Sequence, residues 1–77
     1  MFPTDISTLF PLPNDIEIIR EFSLRRKKLK LLISGNGDRV SKMLIYIDNK
    51  IELERNNISK DVANFAYTEV IKTLVKQ

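Results

Sequence analysis

The stretch Met43-Leu44-Ile45-Tyr46-Ile47, then Asp48-Asn49, then the strict alternation Lys50-Ile51-Glu52-Leu53-Glu54-Arg55 constrains the fold more than any other part of the chain. A short apolar run, a two-residue break and a period-two segment predict a β-hairpin with strands over 42–47 and 50–55. Asp and Asn tolerate positive φ, which a two-residue turn of the primed type needs at both central positions. That turn opposes Ile47 to Lys50, Tyr46 to Ile51, Ile45 to Glu52 and Leu44 to Leu53. One face then carries Leu44, Tyr46, Ile51 and Leu53, all apolar. The other mixes Met43, Ile45 and Ile47 with Lys50, Glu52 and Glu54.

A two-stranded hairpin is at best marginal alone in water, so the flanking segments must cover it. Lys28-Leu29-Lys30-Leu31 alternates with period two, and Leu32-Ile33 runs into the turn-rich Ser34-Gly35-Asn36-Gly37-Asp38. This predicts a third strand over 28–34, with Leu29, Leu31 and Ile33 on the apolar face and the most apolar strand, 42–47, in the centre. Upstream, Asn14 followed by Glu17 is a capping-box variant, and Ile16, Ile18, Ile19 and Phe22 share one half of a helical wheel, which predicts a helix over about 14–25. Leu29 and Ile33 prolong the same stripe. A single helix to about residue 33 with a two-stranded hairpin is therefore the alternative.

Downstream, Ser59 is a good N-cap with Asp61 in the first turn, predicting a helix over 59–76. Its wheel places Val62, Ala63, Ala66, Tyr67, Val70, Ile71 and Leu74 on one half. Phe65 falls on the other half, beside Asp61, Glu69, Lys72 and Lys76. Met1 to Pro13 combines three prolines with Phe2, Ile6, Leu9, Phe10 and Leu12. It reads as an extended apolar arm, either lying on the domain or ordered by a partner. The expected fold is α+β: an arm over 1–13, then one domain over 14–77. That domain runs helix, three-stranded antiparallel sheet and C-terminal helix packed on one sheet face. A chain of 77 residues hides only roughly 60–65% of its unfolded surface, enough for one modest core.

The chain has no cysteine, histidine or tryptophan, so thiol, imidazole and most transition-metal chemistry lack their side chains. Glu52 and Glu54 lie on one strand face, about 7 Å apart, but Ile45 and Met43 opposite them bring no further ligand. Tyr46 and Tyr67 fall on core-facing stripes, where packing explains them. Gly35-Asn36-Gly37 lacks the third glycine and the Lys-Ser/Thr pair of a phosphate-binding loop and reads as a turn. These residues predict a protein that is not an enzyme and uses neither cofactor nor metal. No apolar run approaches the roughly 18 residues that cross a bilayer. The proline-broken N-terminus has no basic head of a secretory signal. Absent cysteines fit a reducing compartment, so the expected location is cytoplasmic.

Net charge is +3, but Arg25, Arg26, Lys27, Lys28 and Lys30 gather five positive charges without an acid among them. Two binding functions follow. In the first, the protein is a regulator or inhibitor of another protein. Phe65 is then an aromatic anchor rimmed by charges including Lys72 and Lys76, joined by Phe2 and Phe10 of the arm; the alternative is that the arm, residues 1–12, covers the Phe65 ring. In the second, Arg25, Arg26, Lys27, Lys28, Lys30 and Arg39 hold nucleic-acid phosphates. The plain counterpart of the second is a lysine-protected, solvated edge strand. Membrane docking needs apolar and basic faces on one element, which this chain separates.

The order helix, three strands, helix, together with Asn14-Asp15, Ile19-Arg20-Glu21, Ile33-Ser34-Gly35 and Leu44-Ile45 through Asp48-Asn49, resembles the small type II-A anti-CRISPR proteins carried by phages. The resemblance covers residues 14–71 loosely. A member with this order presents an acidic, DNA-like surface to the PAM-reading site of the nuclease, whereas this chain carries a basic run. The resemblance implies a small non-catalytic protein that acts by binding, encoded by a phage or mobile element. It assigns no site residue.

Overall fold

The computed structural model describes residues 5–76. A 3-10 turn, Ser7–Leu9, leads into β1 (Leu12–Leu24), β2 (Lys27–Gly37), β3 (Arg39–Ile47), β4 (Lys50–Ser59) and α1 (Lys60–Val75). The strands form one antiparallel meander in the order β1-β2-β3-β4. The helix α1 packs on one face of it, over β3 and β4, and touches the N-terminal turn. The fold is a small α+β arrangement with four strands rather than three.

The helix expected over 14–25 is strand β1, and among the described residues the only helical segment ahead of the sheet is the single 3-10 turn Ser7–Leu9. The alternative long helix to residue 33 is excluded on the same ground. Ile16, Ile18, Phe22 and Leu24 fit a period of two as well as a helical stripe, and branched isoleucines favour the pleated form. Tertiary pairing decides between the periods. β2 is apolar on both faces at Leu31, Leu32 and Ile33, and β1 satisfies its free edge from Ile16 opposite Gly35 to Leu24 opposite Lys27. Asn14 and Asp15 do not cap a helix. Asp15 has φ 46° and lies in a bulge between Leu12 and Ile16. Pro13, which has no N–H, is tolerated because β1 is an edge strand.

Three two-residue turns join the strands. Asp48-Asn49 has φ 49° and 68° between the opposed Ile47 and Lys50, as its residue types predict. Gly37-Asp38 joins β2 to β3, with Asn36 opposite Arg39 and positive φ only at Gly37. The turn-rich segment 34–38 is therefore mostly strand. Arg25-Arg26 closes the β1–β2 hairpin with φ 51° and 67°.

The sheet faces differ from the expected ones because of a bulge. Ile47 opposes Lys50 and Tyr46 opposes Ile51, but Ile45 opposes Leu53 instead of Glu52, and Leu44 opposes Glu54. Glu52 is the extra residue, and beyond it the side chains of β4 exchange faces. The core face holds Leu29, Leu31, Ile33, Val40, Met43 and Ile45, packed with Ala63, Ala66, Tyr67, Ile71 and Leu74 of α1. Leu44 and Tyr46 stand on the opposite, uncovered face, in register with Leu32 and Lys30. There Leu44 is shielded by its neighbours, whereas Ile19 and Ile51 are about half exposed. Apart from the phenol of Tyr67, no polar side chain is buried among the described residues.

The helix begins as expected: the Ser59 hydroxyl oxygen accepts the Val62 N–H at 3.2 Å. Asn64 ties the arm down. Its Oδ1 accepts the Ile6 N–H at 2.9 Å, and Ile6 and Leu12 are both buried in the core. The described part of the arm is thus packed against the domain.

Candidate functional site

Two surfaces are left outside the core. The first is a groove of about 460 Å³ between the core-facing side of β4 and the outer flank of α1. Its apolar lining includes Ile47, Leu53, Val62, Phe65 and Val70, with Glu52, Arg55 and Glu69 at its margins. The bulge at Glu52 is what turns Leu53 into this groove. Phe65 is 68% exposed and Val62 49% exposed, although the helical wheel assigned Val62 to the core. One helix is too narrow to cover a four-stranded sheet, so the flank nearest β4 keeps its apolar residues in water.

The residues expected to serve a protein partner distribute as follows. Phe65 is exposed on the groove, and no described residue of the arm covers it. Lys72 extends from the same helix with its Nζ 3.7 Å from Glu69 Oε2. Lys76 caps the helix C-terminus and is exposed. Phe10 is half-buried against the core, so its ring is engaged in packing. Phe2 lies outside the described residues.

The second surface is the end of the sheet where the β1–β2 and β3–β4 turns lie side by side. Arg25 and Arg26 form the tip and Lys28 is exposed next to them. Lys27 pairs with Asp48 at 3.9 Å, and the Lys28 N–H donates to Asp48 Oδ1 at 3.0 Å. Lys30 places its Nζ 4.6 Å from the centre of the Tyr46 ring. Arg39 does not belong to this cluster. It opposes Asn36 near the other end of β2, roughly 30 Å from Lys27 at about 3.3 Å per residue, with its Nη2 donating to the Asn57 carbonyl at 3.5 Å. The fold adds Lys50 and Tyr46, which sequence reasoning left out. Both are brought in by the Asp48-Asn49 turn, and only the strand character of β1 sets the two turns at one end.

The acidic pair dissolves. Glu52 lines the groove, while Glu54 stands opposite Leu44 on the uncovered face. Tyr46 likewise leaves the core stripe expected for it, whereas Tyr67 is fully inside, and burial pushes its phenol up to about 12. Among the described residues no three acidic side chains converge to hold a metal, and no helix is long and apolar enough to cross a membrane. No protein-family model, curated protein or solved structure matches this chain. The element order on which the resemblance partly rested is replaced by turn, four strands and helix.

Proposed function

We propose that this is a small non-catalytic binding protein, a regulator or inhibitor that holds another protein in the groove between β4 and α1. The observation that supports this reading is Phe65, a large ring 68% exposed at the lip of an apolar groove with charged margins. Buried aromatic anchors surrounded by a polar rim dominate protein interfaces, and Val62, Leu53 and Val70 supply the apolar floor around this one. The anti-CRISPR resemblance names one specific case, a phage-encoded inhibitor, and the groove requires no acidic DNA-like surface to serve it.

The test is a pull-down from host lysate with the intact chain and with Phe65→Ala. A partner retained by the intact chain and lost with Phe65→Ala, at unchanged melting temperature, supports the reading. Equal retention by both chains overturns it.

A further inference from the structure

The β1–β2 hairpin ends in a turn whose residue types are not those its backbone favours. Arg25 and Arg26 occupy both central positions with φ 51° and 67°, between the opposed Leu24 and Lys27. The left-handed region is costly for any side chain with a Cβ except, to a lesser degree, Asn and Asp. Asn-Gly is the usual solution for such a turn. The adjacent turn, Asp48-Asn49, has nearly the same φ values and uses residues that tolerate them. The residue types at the tip are therefore not the ones the turn's backbone favours, and strained positions of this kind concentrate at functional sites.

Charge supplies the direction. Arg25, Arg26, Lys27, Lys28, Lys30 and Lys50 crowd this end of the sheet against Asp48, which is paired to Lys27, and Glu21, which lies opposite Lys30 across the hairpin. The excess is strongly positive although the whole chain carries only +3. We propose that this end is a docking site for the phosphate backbone of a nucleic-acid duplex, with Arg25 and Arg26 leading and Lys28 and Lys30 following along the uncovered sheet face.

The aromatic residues favour a duplex over a single strand. Single-strand sites need open rings on which bases stack. Here the Tyr46 ring lies under the Lys30 ammonium at 4.6 Å and Phe22 is half-buried. What remains is cationic contact, which reads phosphates and not bases. This surface is separate from the Phe65 groove, so the inference does not rest on the protein-binding reading.

The experiment is fluorescence anisotropy with a short labelled DNA duplex, the same strand single, and phosphatidylserine vesicles, between about 50 and 200 mM salt. Contacts by Arg25, Arg26, Lys28 and Lys30 predict a log–log salt slope for the duplex of about −3.6, at about 0.9 per phosphate contact. Arg25→Asn/Arg26→Gly should reduce the slope to about −1.8, with at least about a tenfold loss of affinity at low salt. Lys28→Gln/Lys30→Gln, which leaves the turn untouched, should lower the slope by a similar amount. That variant decides the matter if the turn variant does not fold. A flat salt dependence, unchanged binding by the variants, or tighter binding of the single strand or the vesicles than of the duplex overturns the proposal.

Discussion

Phe65 and Tyr67 lie two positions apart on α1 and face opposite surroundings: Phe65 is 68% exposed and Tyr67 1% exposed. Two residues turn a helix by about 200°, so one ring lies over the sheet and the other points to water. Phe65→Ala should change folding stability by less than about 0.5 kcal/mol and cost about 2 kcal/mol or more in partner binding. Tyr67→Ala should destabilise the fold by about 3–5 kcal/mol, as for other large buried rings. Urea titrations of the two variants separate these outcomes.

Tyr67 also sets an alkaline limit. Its phenol is held up to about 12 in the folded state by desolvation, against an ordinary value of 10.0. Below pH 10 both folded and unfolded chains keep the proton, and the contribution is fully present. Between about pH 10 and 12 the unfolded chain ionises first, so stability falls as pH rises, by a total on the order of 2 kcal/mol. Urea midpoints measured from pH 8 to pH 11.5 should decline at the upper end in the wild-type chain. Tyr67→Phe should lack that part of the decline.

The N-terminal arm is a folding element. Ile6 is buried in the core and its N–H donates to Asn64 Oδ1 at 2.9 Å. Ile6→Ala should cost about 2–4 kcal/mol, and Asn64→Ala about 1 kcal/mol or more by leaving that N–H without its acceptor. Thermal melts check both. A loss in Ile6→Ala together with none in Phe65→Ala would show that arm and ring contribute to different properties.

Gly35 and Gly37 should respond differently to a side chain. At Gly35 an added Cβ meets the Arg39 backbone carbonyl and comes within 3.0 Å of Leu12 Cδ1, at the point where the β2–β3 register shifts. A backbone atom cannot rotate away, so Gly35→Ala should destabilise by about 2 kcal/mol or more. At Gly37 the space is open and the difficulty is φ +63°, so Gly37→Asn should cost well under about 1 kcal/mol because Asn tolerates that region. Chemical denaturation of the two variants gives the comparison directly.

The residues of α1 and of the Asp48-Asn49 turn carry their structure in local sequence. Ser59 caps the helix it precedes, Ala63, Tyr67, Ile71 and Leu74 repeat at helical spacing, and Asp-Asn suits paired positive φ values; none of this depends on distant contacts. The placement of Phe65 off the core-facing half was legible for the same reason, since a helical wheel is local geometry, but whether the arm covered the ring was not. Residues 14–24 were not legible, because Ile16, Ile18 and Phe22 satisfy a helical stripe and a strand alternation alike, and the choice rests on hydrogen bonding to β2. The sheet faces also escaped prediction. A single extra residue at Glu52 shifts the register of the β3–β4 pair and turns Leu53 toward the core while Leu44 and Tyr46 face outward, and a bulge leaves no mark in the alternation of polar and apolar residues. The basic end followed from these non-local choices. Only after β1 pairs with β2 do Arg25 and Arg26 become a turn, and the pairing of β2 with β3 is what stands Tyr46 beside Lys30. Local propensity determined the helix and one hairpin; long-range strand pairing determined everything that places charge and aromatic rings on a common surface.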